Sequence, residues 1–199
     1  MKHIIAALVI VSLAWVATFG NAATPKGLAI GDDAPSFTLK NYDGKEIALK
    51  DLEKNNKLTV LMFISTECPV SNGYNERMVK LYEAFSKKGV AIVGINANKE
   101  ETVDRIAEHS KDKGFKFPVL KDVGNKIADQ YYAQVTPETF VIDQHGKLLY
   151  HGRIDDSRNP EKVSTHDLSD ALTQLLGGKT LTTAETKAFG CSIKRVALD

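Results

Sequence analysis

Two uninterrupted apolar runs stand out along the chain, Leu58-Thr-Val-Leu-Met-Phe-Ile64 and Val90-Ala-Ile-Val-Gly-Ile95. Runs rich in branched and aromatic side chains, without polar alternation, suit parallel strands covered on both faces. Between them Val70, Tyr74, Met78, Leu81, Tyr82 and Phe85 recur at helical spacing as far as Lys88-Gly89, a fitting helix stop. A helix of that length serves as a crossover and places the two strands parallel. Upstream, Ser36–Leu39 and Glu46–Leu49 flank Asn41-Tyr-Asp-Gly44, the signature of a hairpin. Asp51 to Lys57 reads as a charged connection.

Downstream, Val103, Ile106 and Ala107 share one face of a helix spanning Glu100–Lys113, which stops at Gly114. Phe117–Leu120 reads as a short strand and Asn125–Tyr132 as a short helix. Thr136-Pro137 leads into a strand at Glu138–Ile142, and Asp143-Gln-His-Gly146 turns it back into Lys147–Tyr150 as an antiparallel hairpin. Arg153–Ser164 reads as a surface loop. Leu168, Ala171, Leu172 and Leu175 form a last amphipathic helix closed by Gly177-Gly178. The remainder is mostly polar, with Phe189-Gly-Cys-Ser-Ile193 as its apolar interruption.

The first residues belong to a different pattern. Lys2 and His3 precede the apolar block Ile4–Phe19, and Gly20-Asn-Ala-Ala23 supplies the small residues of a cleavage site. The block is shorter than the roughly 20 apolar residues of a spanning helix, so a signal peptide over residues 1–22 is expected rather than an anchor. The expected organisation is then a domain over 23–178 and a tail over 179–199. The expected destination is the periplasm or another extracytoplasmic compartment, with no stable membrane insertion after cleavage.

The chain of 199 residues carries a formal charge of +1, and losing Lys2 brings it to zero. No basic field or aromatic-basic cluster suggests nucleic acid. Nucleotide-binding glycine motifs are absent, and His109, His145, His151 and His166 lack paired metal-ligand spacing, so no cofactor or metal is expected. Asp155-Asp156, Asp167 and Asp170 are expected to face solvent. There are two cysteines, Cys68 and Cys191. In an oxidising compartment two is the number for a redox pair, too few for a disulfide scaffold.

Cys68 falls where the first apolar strand ends and a helix begins, with Pro69 after it. N–H groups at a helix start favour a thiolate, so Cys68 is the candidate nucleophile.

The order of elements, with Phe63–Ser71, Val135-Thr-Pro-Glu-Thr-Phe-Val-Ile-Asp143 and Gly146-Lys-Leu148 as its anchors, resembles the thioredoxin-like superfamily over residues 30–177. Within it the chain is most similar to the redoxins of the alkyl hydroperoxide reductase and thiol-specific antioxidant group and to TlpA-type thiol oxidoreductases. The resemblance implies a three-layer α/β/α sandwich with a central mixed sheet, here with an N-terminal β-hairpin extension and a C-terminal tail. It also implies a cis bond before Pro137, beside Cys68, with Thr136 offering backbone groups to an extended substrate.

Departures qualify the function. Cys68-Pro-Val-Ser71 has serine at the second thiol position, so resolution within the motif is impossible. Glu67 stands where tryptophan is usual, and Met62 where a buried acid is usual. Against the peroxidase pattern, Ser65 keeps a hydroxyl able to orient a peroxide, but Leu61 replaces the proline and the expected arginine is missing, leaving Arg153 as a substitute.

The expected site combines Cys68, Pro69, Ser71, Thr136 and Pro137, with Ser65 and Glu67 lining it. Its substrates would be a protein thiol, a disulfide or a peroxide, with an unidentified reductant. A non-catalytic binding module is the competing reading. Cys191 is expected as the resolving partner: the stretch from Gly178 can reach about 40 Å. A static disulfide, or a tail cysteine that never meets Cys68, stays open.

Overall fold

The computed structural model describes residues 27–197; the expected signal peptide lies outside them. In chain order the strands are β1 (Thr38–Asn41), β2 (Glu46–Ala48), β3 (Leu58–Phe63), β4 (Val90–Asn96), β5 (Val119–Lys121), β6 (Val135–Thr136), β7 (Glu138–Asp143), β8 (Leu148–Gly152) and β9 (Cys191–Ser192). The helices are α1 (Leu49–Asn55), α2 (Pro69–Asn72), α3 (Asn75–Phe85), α4 (Val103–Asp112), α5 (Lys126–Gln130) and α6 (Asp167–Leu176).

Seven strands form one mixed sheet in the order β2-β1-β5-β4-β3-β7-β8, and β6 pairs with β9 apart from it. β3 is central, parallel to β4 and antiparallel to β7, with Phe63 opposite both Ile95 and Glu138. Every residue of β3 is buried, which is why its sequence shows no polar alternation. Leu58, Val60 and Met62 face a core completed by Met78, Leu81 and Phe85 of α3, Ile106 of α4 and Leu168 and Leu172 of α6. Leu61 and Phe63 face the opposite core, with Leu49 of α1, Ile127 and Ala128 of α5, and Tyr131. Phe63, Tyr131 and Phe140 meet there at ring separations of 5.3 to 6.2 Å. Helices thus cover both faces, the expected α/β/α sandwich.

Several elements differ from the sequence reading. The charged connection after β2 is a helix, α1, because Leu49 and Glu53 are buried on one side of it. The long helix after Cys68 breaks at Gly73-Tyr74 into α2 and α3; the apolar spacing runs through the break and conceals it. Val103 is 42 % exposed rather than part of the inner face of α4. β5 starts two residues late, and Pro118, which has no N–H, uses its carbonyl to accept from Gly94. The segment after Arg153 is not all surface: Ile154 and Asp155 are buried. Asp155, expected in solvent, pairs with Arg77 at 2.7 Å, since a buried carboxylate requires a charged partner. Asp167 likewise holds Arg153 at 2.8 Å.

Candidate active site

β3 and β4, parallel neighbours inside the sheet, have their C-terminal ends side by side, and the loop from Ile64 to Cys68 follows there. Cys68 is the N-cap of α2, with Pro69 in the first helical turn, where the missing N–H is not needed. Cys68 is buried, whereas Pro69 and Glu67 are exposed. The Ser71 N–H donates to Cys68 Sγ at 3.3 Å. That bond strengthens when the sulfur is ionised, and so favours the thiolate. Because α2 is a single turn, this local donor replaces the long-helix field expected from the sequence.

The loop is pinned by Glu101, which is 1 % exposed. Its carboxylate accepts from Ser65 Oγ at 2.5 Å, from the Thr66 N–H at 2.6 Å and from Thr66 Oγ1 at 2.8 Å. It also accepts from Asn96 and Asn98 side-chain amides, both at 2.6 Å. Burial pushes the Glu101 carboxyl up, but the bonds from Ser65, Thr66 and Asn96 outweigh it and hold the carboxyl below its ordinary range. Ser65 Oγ accepts in turn from the Cys68 N–H at 2.9 Å and the Glu67 N–H at 3.1 Å. The Ser65 hydroxyl is therefore engaged in holding the loop, and its proton is committed to Glu101. Ser71 Oγ accepts from the Ser65 N–H at 3.2 Å. Glu67 turns outward to an ion pair with Arg105.

The facing wall is Gln134 to Pro137. Glu138 accepts the Gln134 and Val135 N–H groups at 2.7 and 3.1 Å, and its other oxygen meets His151 Nε2 at 2.6 Å. The Thr136–Pro137 peptide bond is cis. The Thr136 carbonyl oxygen lies 3.3 Å from Cys68 Sγ, within reach of an S–H in the reduced state. Arg153, the substitute for the missing arginine, is turned to Asp167 instead.

The tail completes the site. Cys191 pairs with Thr136 and Ser192 with Val135 in an antiparallel register. Cys191 is disulfide-bonded to Cys68 across a Cα–Cα distance of 5.9 Å, inside the range such bonds need. On one side of this contact the tail is held by the edge of β8, where Thr186 N–H donates to the His151 carbonyl at 3.0 Å. On the other, Ile193 is buried, and the Lys194 and Val196 N–H groups donate to Asn98 and Asn125 at 2.7 and 2.8 Å.

Ser65, Cys68, Ser71, Thr136, Pro137 and Cys191 are thus brought together; Glu67 and Pro69 sit at the rim. Glu101, Asn96 and Asn98 escape the sequence reading. Their signal is positional: polar residues at and just past the C-terminal end of a parallel strand, here β4, where α/β sheets place their sites.

The family model for the AhpC/TSA family matches residues 30–151. A thiol-disulfide oxidoreductase ResA of Halalkalibacterium halodurans is 34% identical over 145 residues, 71% of this chain and 80% of that protein. The ResA of Bacillus subtilis (strain 168) is 33% identical over 129 residues, 64% of this chain and 69% of that protein. Among solved structures, an uncharacterized conserved protein from Geobacillus kaustophilus superposes with a TM-score of 0.81 at 31% identity, covering 86% of this chain and 95% of that one. A hypothetical protein from Sinorhizobium meliloti 1021 gives 0.80 at 32% identity, covering 86% and 97%. The matched residues contain Cys68, its loop and the Thr136–Pro137 wall, while Cys191 lies beyond them. With that span matched and the sheet order as observed, the chain belongs to the AhpC/TSA family of thioredoxin-like redoxins.

Proposed function

We propose that this protein is an exported thiol-disulfide oxidoreductase in which Cys68 is the nucleophile and Cys191 its resolving partner. The observation that carries the reading is the bond between them: a cysteine capping α2 is joined to the other cysteine of the chain, on a tail strand laid against Thr136. The thiol-disulfide oxidoreductases among the relatives support the reaction class.

In the reduced protein the Cys68 thiolate, favoured by the Ser71 N–H, attacks one sulfur of a substrate disulfide. The substrate bond breaks, its other sulfur leaves as a thiolate, and a mixed disulfide on Cys68 remains. Cys191 thiolate then attacks Cys68 Sγ, forming the protein disulfide and releasing the second substrate thiolate. The substrate gains two electrons and the protein loses two. Run backwards, the same steps oxidise a substrate dithiol; the potentials of the partners set the direction. Ser65 and Glu101 hold the loop, and Pro69, Ser71, Thr136 and Pro137 shape the surface around Cys68. Export rests on the pattern of residues 1–22, with residues 23–178 as the redox domain and 179–199 as the arm bearing Cys191.

The test is turnover of a disulfide peptide by the reduced mature protein, with stoichiometric trapping in Cys191→Ser. The wild type should turn over, and the variant should stop at a mixed disulfide on Cys68. Equal turnover by the two proteins would remove Cys191 from the reaction. No reaction at Cys68, together with a thiol pKa near the free value of about 8.5, would favour the binding module.

A further inference from the structure

The tail lies where a substrate strand would lie. We propose that Phe189–Ile193 is a built-in copy of the substrate strand, and that the Val135–Pro137 edge docks, in competition with it, an extended protein segment in which glycine precedes the reactive cysteine. This rests on the reading of Cys68 as the nucleophile.

The register supports it first. Cys191 stands opposite Thr136 in an antiparallel pair, so backbone pairing alone carries a sulfur to Cys68. Pairing of this kind accepts any extended strand, and pockets for individual side chains supply the choice among strands. The position before the cysteine is the restrictive one. A β-carbon built on Gly190 would overlap the Thr136 carbonyl oxygen and lie 2.6 Å from its carbonyl carbon and 3.3 Å from Pro137 N. All three are backbone atoms held by the wall, so no rotamer change relieves the overlap. Around this point Phe189 lies against Tyr74 at a ring separation of 6.4 Å, Ser192 is exposed and Ile193 is buried. The edge therefore suits an aromatic residue, glycine, cysteine, a variable residue and an aliphatic one in succession.

The tail's occupancy is exchangeable. The strand pairing is two residues long, extended by one bond from the Ile193 N–H to the Gln134 carbonyl at 2.9 Å, and with the tail seated the buried Thr136 hydroxyl has no hydrogen-bond partner among the described residues. The anchors at Thr186 and Lys194 flank the segment, so it can lift while both ends stay attached. A docked segment then presents its cysteine where Cys191 was. Cys68 thiolate attacks that sulfur, whose disulfide partner leaves as a thiolate and takes a proton from water. As the tail returns, the Cys191 thiolate attacks Cys68 Sγ, the bond to the docked strand breaks, and that strand leaves with its cysteine as a thiolate.

The experiment uses the full mature chain carrying Cys191→Ser, reduced, and two probe peptides, Phe-Gly-Cys-Ser-Ile and Phe-Ala-Cys-Ser-Ile. Each bears its cysteine as a mixed disulfide with thionitrobenzoate. Release of thionitrobenzoate reports attack by Cys68, and each rate is divided by that peptide's rate with glutathione. The glycine peptide should react at least about ten-fold faster, the ratio a difference of 1.4 kcal/mol gives. Adding Gly190→Ala, which keeps the protein's own tail off the edge, should raise the rate with the glycine peptide further. Equal normalised rates for the two peptides, or no gain from Gly190→Ala in a folded protein, would overturn the docking inference and leave the chemistry of Cys68 standing. Failure of Cys68 to outpace glutathione with either peptide would overturn both readings.

Discussion

Asn98 accepts the Lys194 N–H at 2.7 Å while donating its own amide to Glu101 at 2.6 Å. One side chain therefore joins the tail that carries Cys191 to the carboxylate that pins the loop of Cys68. The two sulfurs are set by a shared frame as well as by the bond between them. A tail held in this way keeps Cys191 at high effective concentration after reduction.

Reduction should accordingly loosen the tail only in its middle. Hydrogen exchange followed by mass spectrometry on the reduced protein should show faster exchange over residues 187–192 and continued protection of Lys194 and Val196, whose amides are bonded to Asn98 and Asn125. Uniform loss of protection from residue 179 onward would mean that the disulfide alone holds the tail.

What the bond adds to stability is set in the unfolded chain rather than by this frame. Cys68 and Cys191 are 123 residues apart, for which loop-closure entropy gives about 5 kcal/mol. Tail contacts that persist in the reduced native state do not alter this reference, but residual structure in the reduced unfolded chain does, and measured values run nearer 2–4 kcal/mol. Urea unfolding with and without reductant should show a loss in that range, reproduced by Cys68→Ser/Cys191→Ser. A loss under about 0.5 kcal/mol, the scale of an ordinary surface change, would show that the unfolded chain is not constrained by the bond.

How far the sequence discloses this arrangement depends on how each residue is buried. β3 and β4 are legible because strands buried on both faces carry continuous apolar runs, and Cys68 is legible because it ends one of them. α1 is hidden: its segment, Leu49-Lys-Asp-Leu-Glu-Lys-Asn55, is mostly charged, and its buried side rests on Leu49 and Glu53. The break at Gly73 is hidden because Val70, Tyr74 and Met78 keep helical spacing across it. Glu101, in Lys99-Glu-Glu-Thr102, reads as solvated; its burial arises only where the ends of β3 and β4 converge. For Cys191, chain length allowed a meeting with Cys68 without requiring it, and the register with Thr136 is what brings the two together.

Arg77 shows the same dependence on long-range packing. Its guanidinium pairs with buried Asp155 at 2.7 Å and stacks over Tyr74 at 3.7 Å, the ring on which Phe189 of the tail rests. Arg77→Ala would leave Asp155 with its charge buried and should cost about 3 kcal/mol. Adding Asp155→Asn should recover part of that loss, giving a coupling of about 1–3 kcal/mol in a double-mutant cycle by urea unfolding. Strict additivity would mean that Asp155 is satisfied by His166, whose Nδ1 lies 3.1 Å from its other oxygen.

Glu101→Gln tests the frame at its centre. The carboxylate is nearly sealed from solvent and accepts five hydrogen bonds, and an amide would turn its NH₂ toward groups that are themselves donors. Leaving buried donors without an acceptor should cost about 3 kcal/mol at pH 7. The folded carboxyl titrates below its ordinary value of 4.5, so the folded state binds its proton later than the unfolded state. Its contribution is therefore fully present above pH 4.5 and is lost as the pH falls through the depressed folded value. The gap between wild type and Glu101→Gln should narrow below pH 4.5 and close once the wild-type carboxyl is protonated. Asp122, which burial pushes up, and Asp156, held at about 2 by the Ser164 N–H, owe none of their shifts to Glu101, so taking the difference removes them. His109, whose protonated form the Glu101 charge favours, is replaced by Gln in both proteins so that it does not contribute. Urea midpoints for the two proteins from pH 7 to pH 3 measure it. A gap that stays constant over that range would show that Glu101 acts through its shape rather than its charge.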